Sequence, residues 1–234
     1  MIKTAIILAG GLGKRLRKII PNLPKPMAPI HNRPFLEHQM DYWIDQGITK
    51  FVLSVGYQKQ TIIDHFGESY KGISVDYVIE EMPLGTGGGL LMAAQNLTEP
   101  FLVLNGDTMF EVDLKSLNIF HKEHKSELTL TLFRSNNSER YKLLELSPNG
   151  EVHSLVSGLN KSDLLANGGV YLINPTAISV LNRWLGKKVS LEDELLPDFI
   201  SSGGVLYGME CLSKFIDIGV PEDYYRSAEI FNNG

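Results

Sequence analysis

Three short stretches carry residue types that could do chemistry together. The first is Leu8-Ala9-Gly10-Gly11-Leu12-Gly13-Lys14-Arg15-Leu16, completed by Leu23-Pro24-Lys25-Pro26-Met27. Glycines let backbone N–H groups approach a ligand closely, and Lys or Arg beside them supplies positive charge, so the chemistry that fits is phosphate binding. The other two are Asn105-Gly106-Asp107 and Phe215-Ile216-Asp217-Ile218-Gly219, each a carboxylate at the end of an apolar run. A basic glycine loop and two strand-end carboxylates make a coherent site for a nucleoside triphosphate held with Mg²⁺. That ion takes one or two carboxylates and completes its shell with phosphate oxygens and water. Asp107 could instead cap a following helix, but Asp113 before Leu114 is the better cap.

The charge distribution agrees with phosphate binding. The first 36 residues hold seven basic side chains and no acid, whereas the other 198 hold 15 basic and 27 acidic ones. An acidic chain, of net charge −5, has placed its positive field at this loop. Two well-known phosphate loops do not match. Gly11-Leu12-Gly13-Lys14-Arg15-Leu16 has Leu16 where G-x-G-x-x-G needs its third glycine, and a P-loop through Gly13-Lys14 would need Gly and Ser/Thr where Leu8 and Arg15 stand.

The net charge argues against a general nucleic-acid binder. Cys211 is the single cysteine, so no internal disulfide forms and no Cys/His zinc cluster is present, which fits a reducing compartment. No stretch reaches ~20 apolar residues, and the N-terminal apolar run is too short for a signal region. A cytoplasmic protein without membrane or nucleic-acid partners is expected. At 234 residues and 43% hydrophobic, the chain suits one large α/β domain.

The elements that must position these residues alternate. Thr4–Leu8 reads as a buried parallel strand, Pro34–Gln46 as a helix with Trp43 in the core, Lys50–Val55 as a strand, Gln58–Phe66 as a helix, and Ile73–Ile79 as a strand. Glu80-Glu81-Met82-Pro83-Leu84-Gly85-Thr86-Gly87-Gly88-Gly89 opens a helix to about Leu97, and Phe101–Leu104 is a strand ending at Asn105-Gly106-Asp107. This order predicts an α/β, doubly wound, mostly parallel, Rossmann-like sheet with ligands at the carboxyl ends of its strands. From Glu127 the pattern becomes β-rich: Glu127–Phe133, a hairpin of Leu143–Leu146 and Val152–Val156 about Pro148-Asn149-Gly150, and Ala166–Ile173. Helices follow over Pro175–Trp184 and Leu191–Ile200, with Pro197 dividing or ending the second, then a short strand to Asp217 and a final helix to about Phe231. His121 and His124 are expected on a helix surface. We therefore expect a single domain over 1–234, with a nucleotide-binding half at 1–112 and a second half at 113–234 that extends the sheet and carries a second ligand.

The sequence G-G-L-G-K-R-L followed by P-K-P-M resembles the opening of the sugar-1-phosphate nucleotidyltransferases, most closely the D-glycero-α-D-manno-heptose 1-phosphate guanylyltransferases; P-L-G-T-G-G and F-I-D-I-G-V-P-E-D-Y extend the resemblance over almost the whole chain. It implies that a sugar 1-phosphate oxygen attacks the α-phosphorus of GTP in line and that pyrophosphate leaves without a covalent enzyme intermediate. Arg15 and Lys25 would contact phosphates, with Arg15, Lys25 and Asp107 catalytic, and Asp107 and Asp217 would bind Mg²⁺. The nucleotide would be enclosed by Leu8, Ala9, Gly10, Gly11, Gly13 and Lys14 with Glu80, Pro83, Gly85, Thr86 and Gly106, and the sugar phosphate met by Asn105, Asn167, Gly168 and Gly169. Relatives carry Tyr-Gly and Glu-Lys elements where this chain has Tyr141-Lys142 and Ser157-Gly158; Lys142 or Lys161 is a candidate replacement cation or a surface lysine. These departures leave sugar choice loose, so some turnover of mannose 1-phosphate is expected beside the heptose. A mannose guanylyltransferase, a uridylyl or thymidylyl transferase and a non-catalytic nucleotide-binding subunit are the rival readings, and a homodimer is the assembly expected.

Overall fold

The computed structural model describes residues 2–11, 13, 15–16, 19–135, 141, 143–156 and 164–231. β1 (Thr4–Leu8) leads through the glycine loop and a 3-10 turn (Lys25–Met27) into a small hairpin, β2 (Pro29–Ile30) and β3 (Arg33–Pro34). Then come α1 (Phe35–Asp45), β4 (Lys50–Val55), α2 (Lys59–Phe66), β5 (Ser69–Tyr70), β6 (Ile73–Ile79), α3 (Gly85–Ala94) and β7 (Phe101–Asn105). The second half holds β8 (Thr108–Phe110), α4 (Leu114–Glu123), β9 (Leu128–Ser135), β10 (Leu143–Leu146), β11 (Val152–Val156), β12 (Leu164–Ile173) and α5 (Pro175–Leu181). It continues with a π-helical turn (Leu191–Leu195), α6 (Leu196–Ser201), β13 (Leu206–Glu210), β14 (Phe215–Asp217) and α7 (Pro221–Phe231).

Among the described residues ten strands form one sheet, in the order β11-β10-β12-β7-β1-β4-β6-β5, with β9 paired to β12 and β13 to β9. β1 lies between β4 and β7, parallel to both. Its apolar run is what a strand covered on both faces requires. Ile7, Leu53, Leu102 and Leu104 point into one core with Leu36, Met40 and Trp43 of α1, Ile62 of α2 and Leu117 of α4. Their neighbours Ile6, Val52, Phe101 and Val103 point into the opposite core with Leu90 of α3, Leu181 of α5 and Phe199 of α6. The period-two alternation of the strands thus sorts the helices onto two faces, the doubly wound arrangement.

The second half joins this sheet antiparallel through β12, whose Val170–Ile173 pair with β7. The carboxyl ends of β1 and β7 face one another in register, Leu8 beside Asn105, so the glycine loop and the Asn105–Asp107 segment emerge together. A separate antiparallel pair, β8 with β14, sets Asp217 opposite Thr108, and Ile218 N–H donates to the Asp107 carbonyl at 2.9 Å. This pairing carries Asp217 to Asp107 across 110 positions of sequence. No helix among the described residues is long and apolar enough to cross a membrane.

Several expectations are corrected. His121 is only 4% exposed, because it shares the inward stripe of α4 with Leu114 and Leu117. Its Nδ1 bonds Thr129 Oγ1 at 2.8 Å. His124 is half-buried and stacks on Phe120 with centroids 4.0 Å apart. α3 stops at Ala94 rather than near Leu97. Strand β13 was not expected. Its Leu-Tyr-Gly-Met-Glu sequence has no β-branched residue, and Gly208 is there because an added Cβ would stand 2.5 Å from Leu132 Cδ1 on β9. Pro197 divides its helix as expected: it opens α6, and the turn before it is π-helical. Lys142 and Lys161 lie outside the described residues.

Candidate active site

The glycine loop leaves β1 between two strand ends. Ala9 N–H donates to the Ser54 carbonyl at 2.8 Å, and Gly106 N–H donates to the Leu8 carbonyl at 3.1 Å. Glu80, half-buried at the end of β6, takes hydrogen bonds from Ser54 Oγ at 2.9 Å and from Leu84 N–H at 3.0 Å. Its carboxylate is packed so closely on the loop that a Cβ at Gly10 would overlap it. A cavity of about 390 Å³ results. The loop contributes Leu8, Ala9, Gly10 and Gly11, the α3 entry contributes Glu80, Pro83, Gly85 and Thr86, and Lys25, Asn105, Gly106 and Asp107 complete the wall.

Twelve of the residues expected at the site are therefore brought together. Gly13 has φ +57° and packs behind the cavity, its would-be Cβ 3.3 Å from Lys25 Cβ. Arg15 is exposed and does not line this cavity, and Lys14 lies outside the described residues. Lys188 also lines the nucleotide-loop cavity and carries a cation that the sequence reading did not single out. Its only sequence signal is a Lys187-Lys188 pair on a loop, indistinguishable there from solvated charge.

The α3 entry is built for close packing. Gly85 has φ +74°, and a Cβ there would meet the Val189 carbonyl oxygen at 2.5 Å. That carbonyl accepts from Gly87 N–H at 3.0 Å and Gly88 N–H at 3.3 Å, so the third and fourth donors of α3 are satisfied by Val189 rather than offered to a phosphate. Gly87, Gly88 and Gly89 are buried. The α3 entry lines the cavity with Glu80, Pro83, Gly85 and Thr86.

Thr86 is anchored to the other half of the molecule. Its Oγ1 donates to Glu192 Oε2 at 3.2 Å and accepts from Leu191 N–H at 2.8 Å. Glu192 Oε1 accepts from the Tyr171 hydroxyl at 2.8 Å, and Asn167 Nδ2 donates to that same hydroxyl at 2.6 Å. Tyr171 is fully buried; burial first, then the Glu192 charge, pushes its ionisation well above the usual phenol range, so it stays a neutral donor. Asn167 Oδ1 accepts from Gly169 N–H at 3.0 Å. Gly168 packs against the Phe110 ring, and a Cβ at Gly169 would stand 2.7 Å from Thr108 Oγ1 and 2.8 Å from Asn105 Nδ2. Asn167, Gly168 and Gly169 do not line the glycine-loop cavity. Beside Gly169, Asn105 Oδ1 and Thr108 Oγ1 are buried and find no hydrogen-bond partner among the described residues.

The charged centre lies where three distant segments meet. Lys25 Nζ is ion-paired and hydrogen-bonded to Asp107 Oδ2, with the lysine side chain 12% and the aspartate 34% exposed. Gly219 sits against both Lys25 and Asp217: an added Cβ would be 2.7 Å from Lys25 Nζ and 2.5 Å from Asp217 Oδ1. Gly219 N–H donates to that Asp217 oxygen at 2.6 Å. One of the two carboxylates, Asp107, already holds a cation, the Lys25 ammonium, and the other, Asp217, lies beside it across Gly219. Among the described residues no group of three or more His, Cys, Asp and Glu gathers into an all-protein metal cage. A carboxylate pair of this kind fits a hard dication that takes its remaining ligands from phosphates and water.

Comparison with known proteins places this arrangement. A sequence profile described as nucleotidyl transferase matches residues 4–233. The chain is 41% identical to the D-glycero-alpha-D-manno-heptose 1-phosphate guanylyltransferase of Aneurinibacillus thermoaerophilus, over 95% of this chain and 96% of that one. It is 39% identical to the Campylobacter jejuni protein of the same name, over 95% and 97%. The crystal structure of HddC from Yersinia pseudotuberculosis complexed with GMP-PN superposes with a TM-score of 0.85 at 34% identity, covering 98% of this chain and all of that one. With its glycine loop, its paired aspartates and a match over nearly its whole length, the chain belongs to the nucleotidyl transferase family.

Proposed function

We propose that the protein transfers a guanylyl group from GTP to D-glycero-α-D-manno-heptose 1-phosphate, releasing pyrophosphate and forming a GDP-heptose in the cytoplasm. The observation that carries the reading is the pairing of Lys25 with Asp107 on the wall of the glycine-loop cavity, with Asp217 brought beside them across Gly219. The close likeness to named heptose guanylyltransferases supports it. We propose a single domain in which residues 1–112 hold the nucleotide, and residues 113–234 bring the sugar phosphate and Asp217.

Attack of one phosphate oxygen on another phosphorus asks the protein for position and charge neutralisation, not for an activated nucleophile. Lys25 supplies a buried positive charge whose direction is fixed by Asp107. Lys188, exposed on the cavity wall, supplies a second positive charge. Asp107 and Asp217 are the groups that would hold Mg²⁺, which when bound offsets the negative charge of the triphosphate. Gly10 and Gly11 allow the backbone to approach the nucleotide.

Base choice is assigned to Glu80. Guanine presents two neighbouring donors, N1–H and the N2 amino group, and a carboxylate accepts both; adenine and cytosine present an acceptor at that place, and uracil and thymine a single donor between carbonyls. Glu80 faces the cavity and is held from behind by Ser54 and Leu84. A wrong base leaves buried polar groups unpaired, which discriminates strongly. The test is a matrix of nucleoside triphosphates against sugar 1-phosphates scored by pyrophosphate release. GTP with the heptose 1-phosphate should give the highest kcat/KM, and UTP or dTTP outcompeting GTP across all sugars would overturn the guanylyl assignment.

A further inference from the structure

A second cavity, of about 480 Å³, reaches the charged centre at Asp217 and shares no lining residue with the nucleotide-loop cavity. One wall is aromatic. Phe133 and Phe215 stack with centroids 3.9 Å apart, and Tyr141 meets them edge-on at 5.1 Å and 5.8 Å. The other wall is ionic but balanced, Arg134 and Arg226 standing against Asp217 and Asp223. Arg226 Nη1 donates to Asp223 Oδ1 at 3.0 Å, and Arg134 forks onto Glu210 at 2.6 Å and 3.1 Å.

The chemistry of these walls selects the ligand class. Guanidiniums already matched by carboxylates offer no net positive field, so a phosphate has no reason to settle there. A neutral polyhydroxyl chain does. Its C–H faces cover aromatic rings, and each hydroxyl donates to a carboxylate while accepting from a guanidinium.

We propose that this cavity seats the hydroxylated side chain of the sugar, with the Asp223–Arg226 pair reading the hydroxyl that a heptose has and a hexose lacks. The inference rests on the proposed function and adds to it a set of specificity residues on α7. The sugar phosphate lies at Lys25, the ring passes Asp217, and the chain beyond C5 runs along the stacked Phe133 and Phe215. Selection of a heptose over mannose then comes from the start of the last helix.

The experiment compares kcat/KM for D-glycero-α-D-manno-heptose 1-phosphate and mannose 1-phosphate, both with GTP, in the wild type, Arg226→Met and Asp223→Asn. The Arg226 side chain is 70% exposed, so its replacement strips nothing from the core, and thermal melting checks Asp223→Asn. Each variant should lower the heptose-to-mannose ratio about tenfold, the effect of losing one hydrogen bond to a charged group, with the larger loss on the heptose. An unchanged ratio, or equal losses on both sugars, overturns the inference while leaving the proposed function standing. A wild-type protein that uses neither sugar with GTP removes the proposed function, and this inference with it.

Discussion

Replacing Gly219 by Ala tests the charged centre without deleting any of its members. Gly219 is outside the left-handed region, so alanine can adopt its backbone angles. The added methyl would stand 2.5 Å from Asp217 Oδ1 and 2.7 Å from Lys25 Nζ, where ordinary contact begins at 3.4 Å. The two charged atoms must therefore retreat by about 0.9 Å and about 0.7 Å. Both are the far ends of flexible side chains, so the fold yields cheaply, and Tm should move by less than about 3 °C. Catalysis has no such latitude, since a misplacement of about 1 Å can cost about a hundredfold in rate. Pyrophosphate release at saturating GTP and sugar phosphate measures the first quantity and differential scanning fluorimetry the second. Turnover within about threefold of wild type would refute the claim that these two groups must sit where they do. A large drop in Tm would instead make Gly219 a packing residue.

Lys25→Ala should lower turnover on the order of a hundredfold by removing the preorganised charge beside Asp107, with kinetics remaining sequential; isolation of a labelled nucleotidyl-enzyme would contradict the direct transfer. Asp107→Asn and Asp217→Asn should each abolish most Mg²⁺-dependent turnover with circular dichroism unchanged, because an amide is a poor ligand for a hard dication. Gly11→Ala meets nothing within 4 Å, so Tm should hold while the KM for GTP rises; an unchanged KM means that the loop backbone does not approach the nucleotide. Glu80→Gln should narrow the preference for GTP over UTP by at least about tenfold, and an unaltered preference moves base selection elsewhere. Burial lowers the His121 pKa from 6.5, so its contribution to stability is full above about pH 6.5 and is lost as pH falls below that through the depressed folded value. Tm measured from pH 7.5 down to 5.5 should fall less steeply in His121→Leu than in the wild type, the remaining slope including that of His38, whose pKa burial also lowers.

The sequence revealed most where local pattern and burial agree. β4 and β6 have the bounds that their apolar patterns imply, and Asp113 caps α4 by accepting from Ser116 N–H at 2.6 Å. Asp107 and Asp217 could be marked as strand-end carboxylates, because an apolar run broken by glycine and acid is a local signal. Contacts made across the fold left no such trace. Gly85 and Gly87 of α3 look like part of a phosphate loop but allow the close approach of Val189 and Leu195, residues a hundred positions away. Glu192, which ties Thr86 to Tyr171, reads in sequence as one more acid of a charged helix start. His121 needed a choice of helix face that the four apolar residues of α4 do not force. The cavity over Phe133 and Phe215 joins β9, β14 and α7, and periodicity within any one of them does not announce it.

The pairing of β8 with β14 has a consequence for the order in which the protein gains its activity. Closing a loop of this length is entropically slow compared with forming the local β-α-β units of the first half. A chain that has assembled β1, β4, β6 and β7 already owns a glycine loop, Glu80 and Lys25, but Asp217 arrives only when the strand at Phe215–Asp217 docks. During refolding, nucleotide affinity should therefore appear before turnover.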